Sequence, residues 1–164
     1  MDDKIKNFRG AYSCFSNFYS CNGILIITED GFEALQANNT ESLYQALKST
    51  DHLERKRIAA MSAGDSKKEG SRLRDAGLVR PDWQDVNLQY MEVLVQTKFE
   101  TFPELADILV GTGDTYIEEG NYWHDRFYGC CYCGGNKVDY CSGDGSGENH
   151  LGKILMKVRE RLRK

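Results

Sequence analysis

The chain has little proline, no long apolar run and no excess of positive charge. Only two of its 164 residues are proline, and no proline-rich or serine-rich linker divides it, so we expect one domain over residues 1–164. No apolar run reaches the roughly 18 residues of a membrane-spanning helix, and the charged N-terminal residues lack the apolar stretch of a signal peptide. These absences predict a cytoplasmic protein with no membrane partner.

Charge and cysteine content exclude two further classes. The formal net charge of −4 argues against a general affinity for the nucleic-acid backbone. Six cysteines are present, but a reducing compartment does not favour structural disulfides in a chain of this kind. The sequence therefore does not predict a secreted disulfide scaffold or a general nucleic-acid-binding protein.

Sequence patterns indicate short extended segments followed by a mostly helical remainder. The segment 12–19 is aromatic and turn-like, and the β-branched run 24–28 ends at the turn signal Asp30-Gly31. Further predicted elements are a strand at 115–118 and a glycine-rich loop at 129–147. The predicted helices are one with Thr40 as its N-cap, one after Asp51, one that ends near Gly77, one capped by Asp82, one that begins at Pro103 and one from Leu151. We therefore expect an α+β domain that is mostly helical.

The helix that begins at Thr40 carries the first candidate site. Its apolar side holds Leu43, Ala46 and Leu47, and its opposite side holds Glu41, Tyr44, Gln45 and Lys48. A carboxylate there suits the hydrolysis of an N-glycoside, which needs a positioned water and stabilisation of oxocarbenium charge. The alternative is a helix-capping Glu41 on a solvated face, which the spacing alone favours.

Acidic and aromatic residues form a second candidate group at 118–128. Aromatic rings offer a stacking platform for a base, and Glu118 or Asp125 could hydrogen-bond ribose hydroxyls. The alternative is that these are core aromatic residues beside a loop. The glycine-rich stretch 143–149 leads into the last helix, whose N-terminus could bind phosphate, although Asn149 alone is more typical of a helix cap.

Four cysteines crowd into one short segment: Cys130, Cys131, Cys133 and Cys141. Their thiolates could hold a structural zinc ion, with His124 or His150 as a nitrogen ligand. The spacing differs from the paired C-x₂-C pattern of zinc fingers, so buried small side chains or free thiols remain the alternative.

Several motifs, taken in order, resemble the YbiA-like or NADAR family. They are Phe15-Ser16-Asn17-Phe18, Glu41-x-x-Tyr44-Gln45-Ala46-x-Lys48, Arg80-x-x-Trp83, Asp125-x-Phe127-Tyr128-Gly129 and Asn149-x-Leu151-Gly152. The resemblance implies a YbiA-like, mostly helical α+β domain with N-glycosidase activity. It implies a phosphoribosyl or ADP-ribosyl substrate, such as a ribosylaminopyrimidine phosphate of riboflavin synthesis or ADP-ribosyl-guanine, free or in nucleic acid, and no required cofactor.

The resemblance also assigns roles to residues. It implies that Glu41, Asp125 and Glu118 are catalytic. The substrate-binding residues that it implies are Phe15, Asn17, Tyr44, Gln45, Lys48, Arg80, Trp83, Tyr128, Gly129, Asn149 and Gly152. Within this set, Trp83 and Tyr128 are expected to flank the base.

Three positions depart from the family pattern. Ser42 replaces a usual histidine, Tyr128 replaces a tryptophan, and Ser71 follows Gly70 where an arginine is expected. The departures at Tyr128 and Ser42 support a rival hypothesis, a non-catalytic module that binds ADP-ribose or NAD. The cysteine segment leaves a further hypothesis open, a zinc-dependent nucleic-acid adaptor, and the acidic net charge argues against it. The sequence does not predict the oligomeric state.

Overall fold

The computed structural model describes residues 4–21, 23–27, 34–134 and 141–164. Its helices are α1 Thr40–Ala46, α2 His52–Ala59, α3 Ala63–Asp75, α4 Trp83–Thr101, α5 Pro103–Gly111 and α6 His150–Leu162, and a 3₁₀ helix spans Gly10–Phe15. Its strands are β1 Lys4–Ile5, β2 Leu25–Ile27, β3 Leu35–Ala37, β4 Tyr116–Ile117, β5 Gly120–Asn121 and β6 Cys130–Cys131. The prediction of a mostly helical α+β fold with short strands is confirmed.

The backbone contacts divide the chain into two compact units, which we describe separately. The first, Asn17–Phe102, contains the antiparallel pair β2 and β3, in which Leu25 is opposite Ala37. Helix α1 packs against α2, α3 and α4. The core of this unit is built from fully buried aliphatic side chains: Leu25, Leu35, Leu43, Leu47, Ile58, Leu73, Met91 and Leu94.

Side-chain caps define the starts of α1 and α2 in this unit. The Asn39 side chain accepts a hydrogen bond from the Ser42 backbone N–H at 2.7 Å, so the cap of α1 is Asn39 and the prediction of Thr40 is wrong by one residue. Asp51 caps α2 in the predicted way, because its carboxylate accepts from the Glu54 N–H. The predicted turn at Asp30-Gly31 lies outside the described residues.

The second unit comprises Met1–Ser16 and Pro103–Lys164. Helix α6 packs against α5 and β4, while β1 pairs with β4 and β5 pairs with β6, both in parallel. The glycine-rich segment predicted as a loop thus contributes a strand, β6. The lack of a side chain at Gly129 lets the two backbone segments approach closely enough to pair, because a Cβ on Gly129 would lie 2.3 Å from the Glu119 carbonyl oxygen.

The aromatic segment near the N-terminus begins as a 3₁₀ helix, where an extended, turn-like chain was predicted. Its turns bury Phe15 almost completely. The Phe15 ring stacks on Tyr12 at 5.4 Å between centroids and meets Phe8 edge-on at 5.7 Å. Contacts of the buried Phe15 ring with these two more exposed rings stabilise the turn.

Among the described residues, no helix combines the length and the apolar character needed to cross a membrane.

Candidate functional site

Helix α1 is buried at all seven of its positions. The interpretation of its polar side as a solvated face is therefore wrong: only 7% of Glu41 and 5% of Gln45 is exposed. The physical reason is that α2, α3 and α4 all pack against this one short helix. Because buried polar groups need partners, its polar side chains must either bind one another or bind a ligand.

Glu41 and Gln45 bind one another. The Gln45 side-chain N–H donates to Glu41 Oε1 at 2.7 Å, across one turn of the helix. Gln45 Oε1 is also buried, and it has no hydrogen-bond partner among the described residues. Since a buried orphan oxygen is destabilising, this acceptor is available to a donor on a ligand or on water.

Lys48 and two aromatic rings complete the group. The centroids of the Tyr44 and Trp83 rings lie 5.0 Å apart. The Lys48 Nζ lies 5.7 Å from the Tyr44 centroid and 5.9 Å from the Trp83 centroid. Contacts of this length are favourable cation–π interactions. The structure thus brings together the four residues predicted on this helix and adds Trp83 from the start of α4.

The electrostatic environment of Lys48 suits an anion-binding group. Burial is the largest influence and lowers the pKa of its ammonium. The Glu41 carboxylate raises this pKa, and the positive charges of Arg74 and Lys67 lower it. A phosphate beside Lys48 would offset both the burial and the neighbouring positive charges.

Gly70 in α3 is a site residue that sequence reasoning missed. A Cβ at this position would lie 1.7 Å from Gln45 Oε1 and 3.2 Å from the Lys48 Nζ, so any larger residue would displace the Gln45 amide. A signal was present, because glycine inside a predicted helix is destabilising unless packing or function requires it.

Arg80 and Asn17 lie in the same unit and have structural partners. Arg80 forms an ion pair with Asp82 at 2.6 Å and donates to the Tyr90 hydroxyl at 2.9 Å. The hydrogen bond to Asp82 raises the pKa of Arg80, which keeps it charged. The Asn17 carbonyl accepts from the Glu41 backbone N–H at 3.0 Å, which fixes the start of α1.

The second unit contains the other two predicted acids. Glu118 is buried, forms an ion pair with Lys4 at 3.3 Å, and accepts a hydrogen bond from the Tyr132 hydroxyl. That bond is the main reason why the pKa of Tyr132 is raised. Lys4 and Tyr132 are therefore partners that sequence reasoning did not identify.

Asp125 organises the loop that carries Tyr128. Its Oδ1 accepts from the backbone N–H groups of Phe127 at 3.0 Å and Tyr128 at 2.9 Å. The Tyr128 ring meets the Phe127 ring edge-on, with centroids 4.9 Å apart. Part of the Asp125 carboxylate is thus engaged in holding the local turn.

Asn149 and Gly152 anchor α6 to β4. Asn149 adopts a left-handed conformation (φ 53°), its Nδ2 donates to the Ile117 carbonyl at 2.9 Å, and its Oδ1 accepts from the Glu119 N–H at 3.0 Å. It precedes α6 but makes no side-chain cap bond. A Cβ on Gly152 would lie 2.3 Å from the Ile117 oxygen, so both residues make packing contacts.

Three of the four predicted cysteines come together with a histidine. The ligand atoms of His124, Cys131, Cys133 and Cys141 all lie within 4.8 Å of one another, an arrangement that could hold a metal ion. Cys130, the remaining predicted ligand, does not belong to this group, and burial raises the pKa of its thiol. Adjacent residues of a strand point to opposite faces, which separates Cys130 from Cys131.

Known proteins are similar to this chain in sequence over nearly its whole length. N-glycosidase Npun_R5314 of Nostoc punctiforme is 36% identical, over 93% of this chain and 86% of its own. N-glycosidase YbiA of Shigella boydii is 31% identical, over 99% of this chain and 91% of its own. Riboflavin biosynthesis protein VVA0006 of Vibrio vulnificus is 34% identical over 90% of this chain but only 35% of its own.

A solved structure is similar as well. The NMR structure of E. coli YbiA matches with a TM-score of 0.73 and 30% identity, over 99% of this chain and 87% of that one. The NADAR domain family matches residues 5–163, and this match extends over both compact units. The chain therefore belongs to the NADAR domain family.

Proposed function

We propose that this protein is an N-glycosidase that hydrolyses the bond between ribose C1′ and a base nitrogen. The substrate class is a phosphoribosyl or ADP-ribosyl compound, either a ribosylaminopyrimidine phosphate or ADP-ribosyl-guanine, free or within nucleic acid. Two similar proteins carry the name N-glycosidase and a third is named for riboflavin biosynthesis, which supports this choice. The entire chain acts as one NADAR domain in this proposal.

The observation that carries the proposal is the buried group on α1. A buried carboxylate and a buried amide lie on this short helix, and the half-buried Lys48 ammonium follows two residues after its end, beside the Tyr44 and Trp83 rings. A purely structural helix would bury apolar side chains, because each buried polar group requires compensation. Glycoside hydrolysis uses these groups: an acid for water, donors and acceptors for the sugar, and a cation for phosphate.

The reaction needs only water and protein side chains. Glu41 accepts a proton from water as the water oxygen bonds to C1′, and the electron pair of the C1′–N bond goes to the base, which is then protonated. Gln45 holds the Glu41 carboxylate through its 2.7 Å bond. Negative charge on Glu41 also stabilises the developing oxocarbenium ion.

The remaining residues receive binding roles. Lys48 meets a substrate phosphate, while Trp83 contributes a stacking surface for the base. Asp125 and Glu118 hold ribose hydroxyls or stabilise positive charge, and Tyr128 stacks on the base. We propose a cytoplasmic location, since all six cysteines are free, as a reducing compartment favours.

The replacement Glu41→Gln tests the role of this carboxylate. We expect turnover to fall by roughly 10²-fold or more, the usual scale for losing a positioned acid or base. Because Glu41 is buried beside a cation, the variant should also lose about 1–2 kcal/mol of stability. The assay follows base release from both substrates, and calorimetry measures ADP-ribose binding.

Glu100→Gln is the matched control, because it removes the same charge at an exposed position in the same unit. It should keep the wild-type rate. A folded Glu41→Gln protein with wild-type turnover would transfer the role to Asp125 or Glu118. If wild-type protein binds ADP-ribose and releases no base from either substrate, the non-catalytic binding module is the correct alternative.

A further inference from the structure

The cluster of three thiols and one imidazole lies outside the chemistry proposed above. Its members come from three places along the chain. His124 lies in the segment after β5, Cys131 lies in β6 and Cys133 two residues later, and Cys141 lies between β6 and α6. Cys131 and Cys141 are buried, and the other two are partly exposed. We propose that these four side chains form a structural zinc site.

The distances match tetrahedral coordination. Cys133 Sγ lies 3.8 Å from Cys141 Sγ and 3.4 Å from His124 Nδ1. Zinc–sulfur bonds of about 2.3 Å and zinc–nitrogen bonds of about 2.0–2.1 Å give tetrahedron edges of about 3.8 Å between sulfurs and about 3.5 Å between sulfur and nitrogen. The two edges that meet at Cys133 Sγ are therefore already spaced as a zinc tetrahedron requires, and all four ligand atoms lie within 4.8 Å of one another.

The backbone at His124 supports a ligand role. This residue has a φ of 68°, a left-handed conformation that is uncommon for residues other than glycine. Asn121, which is fully buried, holds the turn: its Nδ2 donates to the Asp125 carbonyl at 2.6 Å, and its Oδ1 accepts from the Asp125 N–H at 3.2 Å. A turn fixed in this unusual conformation directs the imidazole at the thiols.

The donor set selects the metal and its role. Three thiolates with one imidazole favour zinc and disfavour the hard cations magnesium and calcium, which prefer oxygen ligands. Four protein ligands close the tetrahedron and leave no position for a metal-bound water, so the site is structural. Zinc here would tie β6 to the loop that carries Asp125 and Tyr128.

The test measures metal in the full-length protein, purified without a polyhistidine tag. Elemental analysis should find about one zinc per chain. After zinc removal, added cobalt should produce a thiolate-to-cobalt charge-transfer absorption that saturates at one equivalent. His124→Asn and Cys133→Ser should each weaken zinc binding at least tenfold, and asparagine is chosen because it tolerates the left-handed backbone.

Cys130→Ser is the matched control, since it removes a buried thiol one residue from Cys131 and outside the cluster. It should retain one zinc per chain. Wild-type protein that holds no zinc and gives no cobalt charge-transfer band would overturn the proposal, and so would a Cys133–Cys141 disulfide found by mass spectrometry in protein purified under reducing conditions. Zinc content is measured without any substrate, so this result is independent of the proposed N-glycosidase activity.

Discussion

Replacing Gly70 by alanine should separate activity from stability. The new Cβ would lie 1.7 Å from Gln45 Oε1, half of the 3.4 Å at which ordinary contact begins, so the amide must move by about 1.7 Å. That movement breaks the 2.7 Å bond that holds the Glu41 carboxylate. A displacement of about 1 Å in a catalytic group lowers rates by roughly 10²-fold, and we expect a loss of this size in base release.

Stability should change little in the same variant. Alanine in a helix interior is favoured over glycine by roughly 0.5–1 kcal/mol, and the lost hydrogen bond costs about 1 kcal/mol. The two terms nearly cancel, so urea unfolding should differ from wild type by less than about 1 kcal/mol. Gly64→Ala in the same helix is the control, because nothing lies within 4 Å of its Cβ. Wild-type turnover in Gly70→Ala would refute the proposal that Gln45 positions Glu41.

Two further predictions concern Lys48 and Asn149. Burial lowers the pKa of Lys48 below its usual value of 10.5. Between the lowered pKa and pH 10.5, the folded state therefore binds fewer protons than the unfolded state. The free energy of unfolding of wild type should rise with pH over this range, relative to that of Lys48→Met. Urea unfolding at a series of pH values measures this, and a stability difference that stays constant with pH would contradict it. Asn149→Ala should lower the free energy of unfolding by about 3 kcal/mol, because it removes three side-chain hydrogen bonds and places alanine in a left-handed conformation. A loss of less than about 1 kcal/mol, measured by thermal unfolding, would contradict this prediction.

Sequence patterns predicted the helices well because their boundaries depend on local chemistry. Pro103 begins α5 as expected, and Asp51 caps α2 through the Glu54 N–H. The family resemblance is confirmed by the match over residues 5–163. The short strand β6 was missed because its pairing with β5 depends on a distant backbone approach at Gly129.

The cluster of His124 with three cysteines shows the same limit of sequence-based prediction. Spacing along the chain drew attention to four crowded cysteines, and it could not show which thiols face one another. Strand alternation at β6 separates Cys130 from Cys131, and the left-handed turn at His124 supplies the fourth donor atom. Both effects arise from backbone geometry, which residue spacing does not encode.

The burial of α1 is the most informative departure from the sequence-based expectation. Periodicity correctly separated its apolar and polar sides, but whether a polar side faces solvent depends on packing by α2, α3 and α4. The result is a seven-residue helix on which two oxygens, Thr40 Oγ1 and Gln45 Oε1, are buried without hydrogen-bond partners among the described residues. Each costs on the order of 1–3 kcal/mol, and apolar side chains of similar size would avoid that cost. A helix that keeps such groups next to Glu41 and Lys48 is better explained by the binding of a polar substrate than by packing alone.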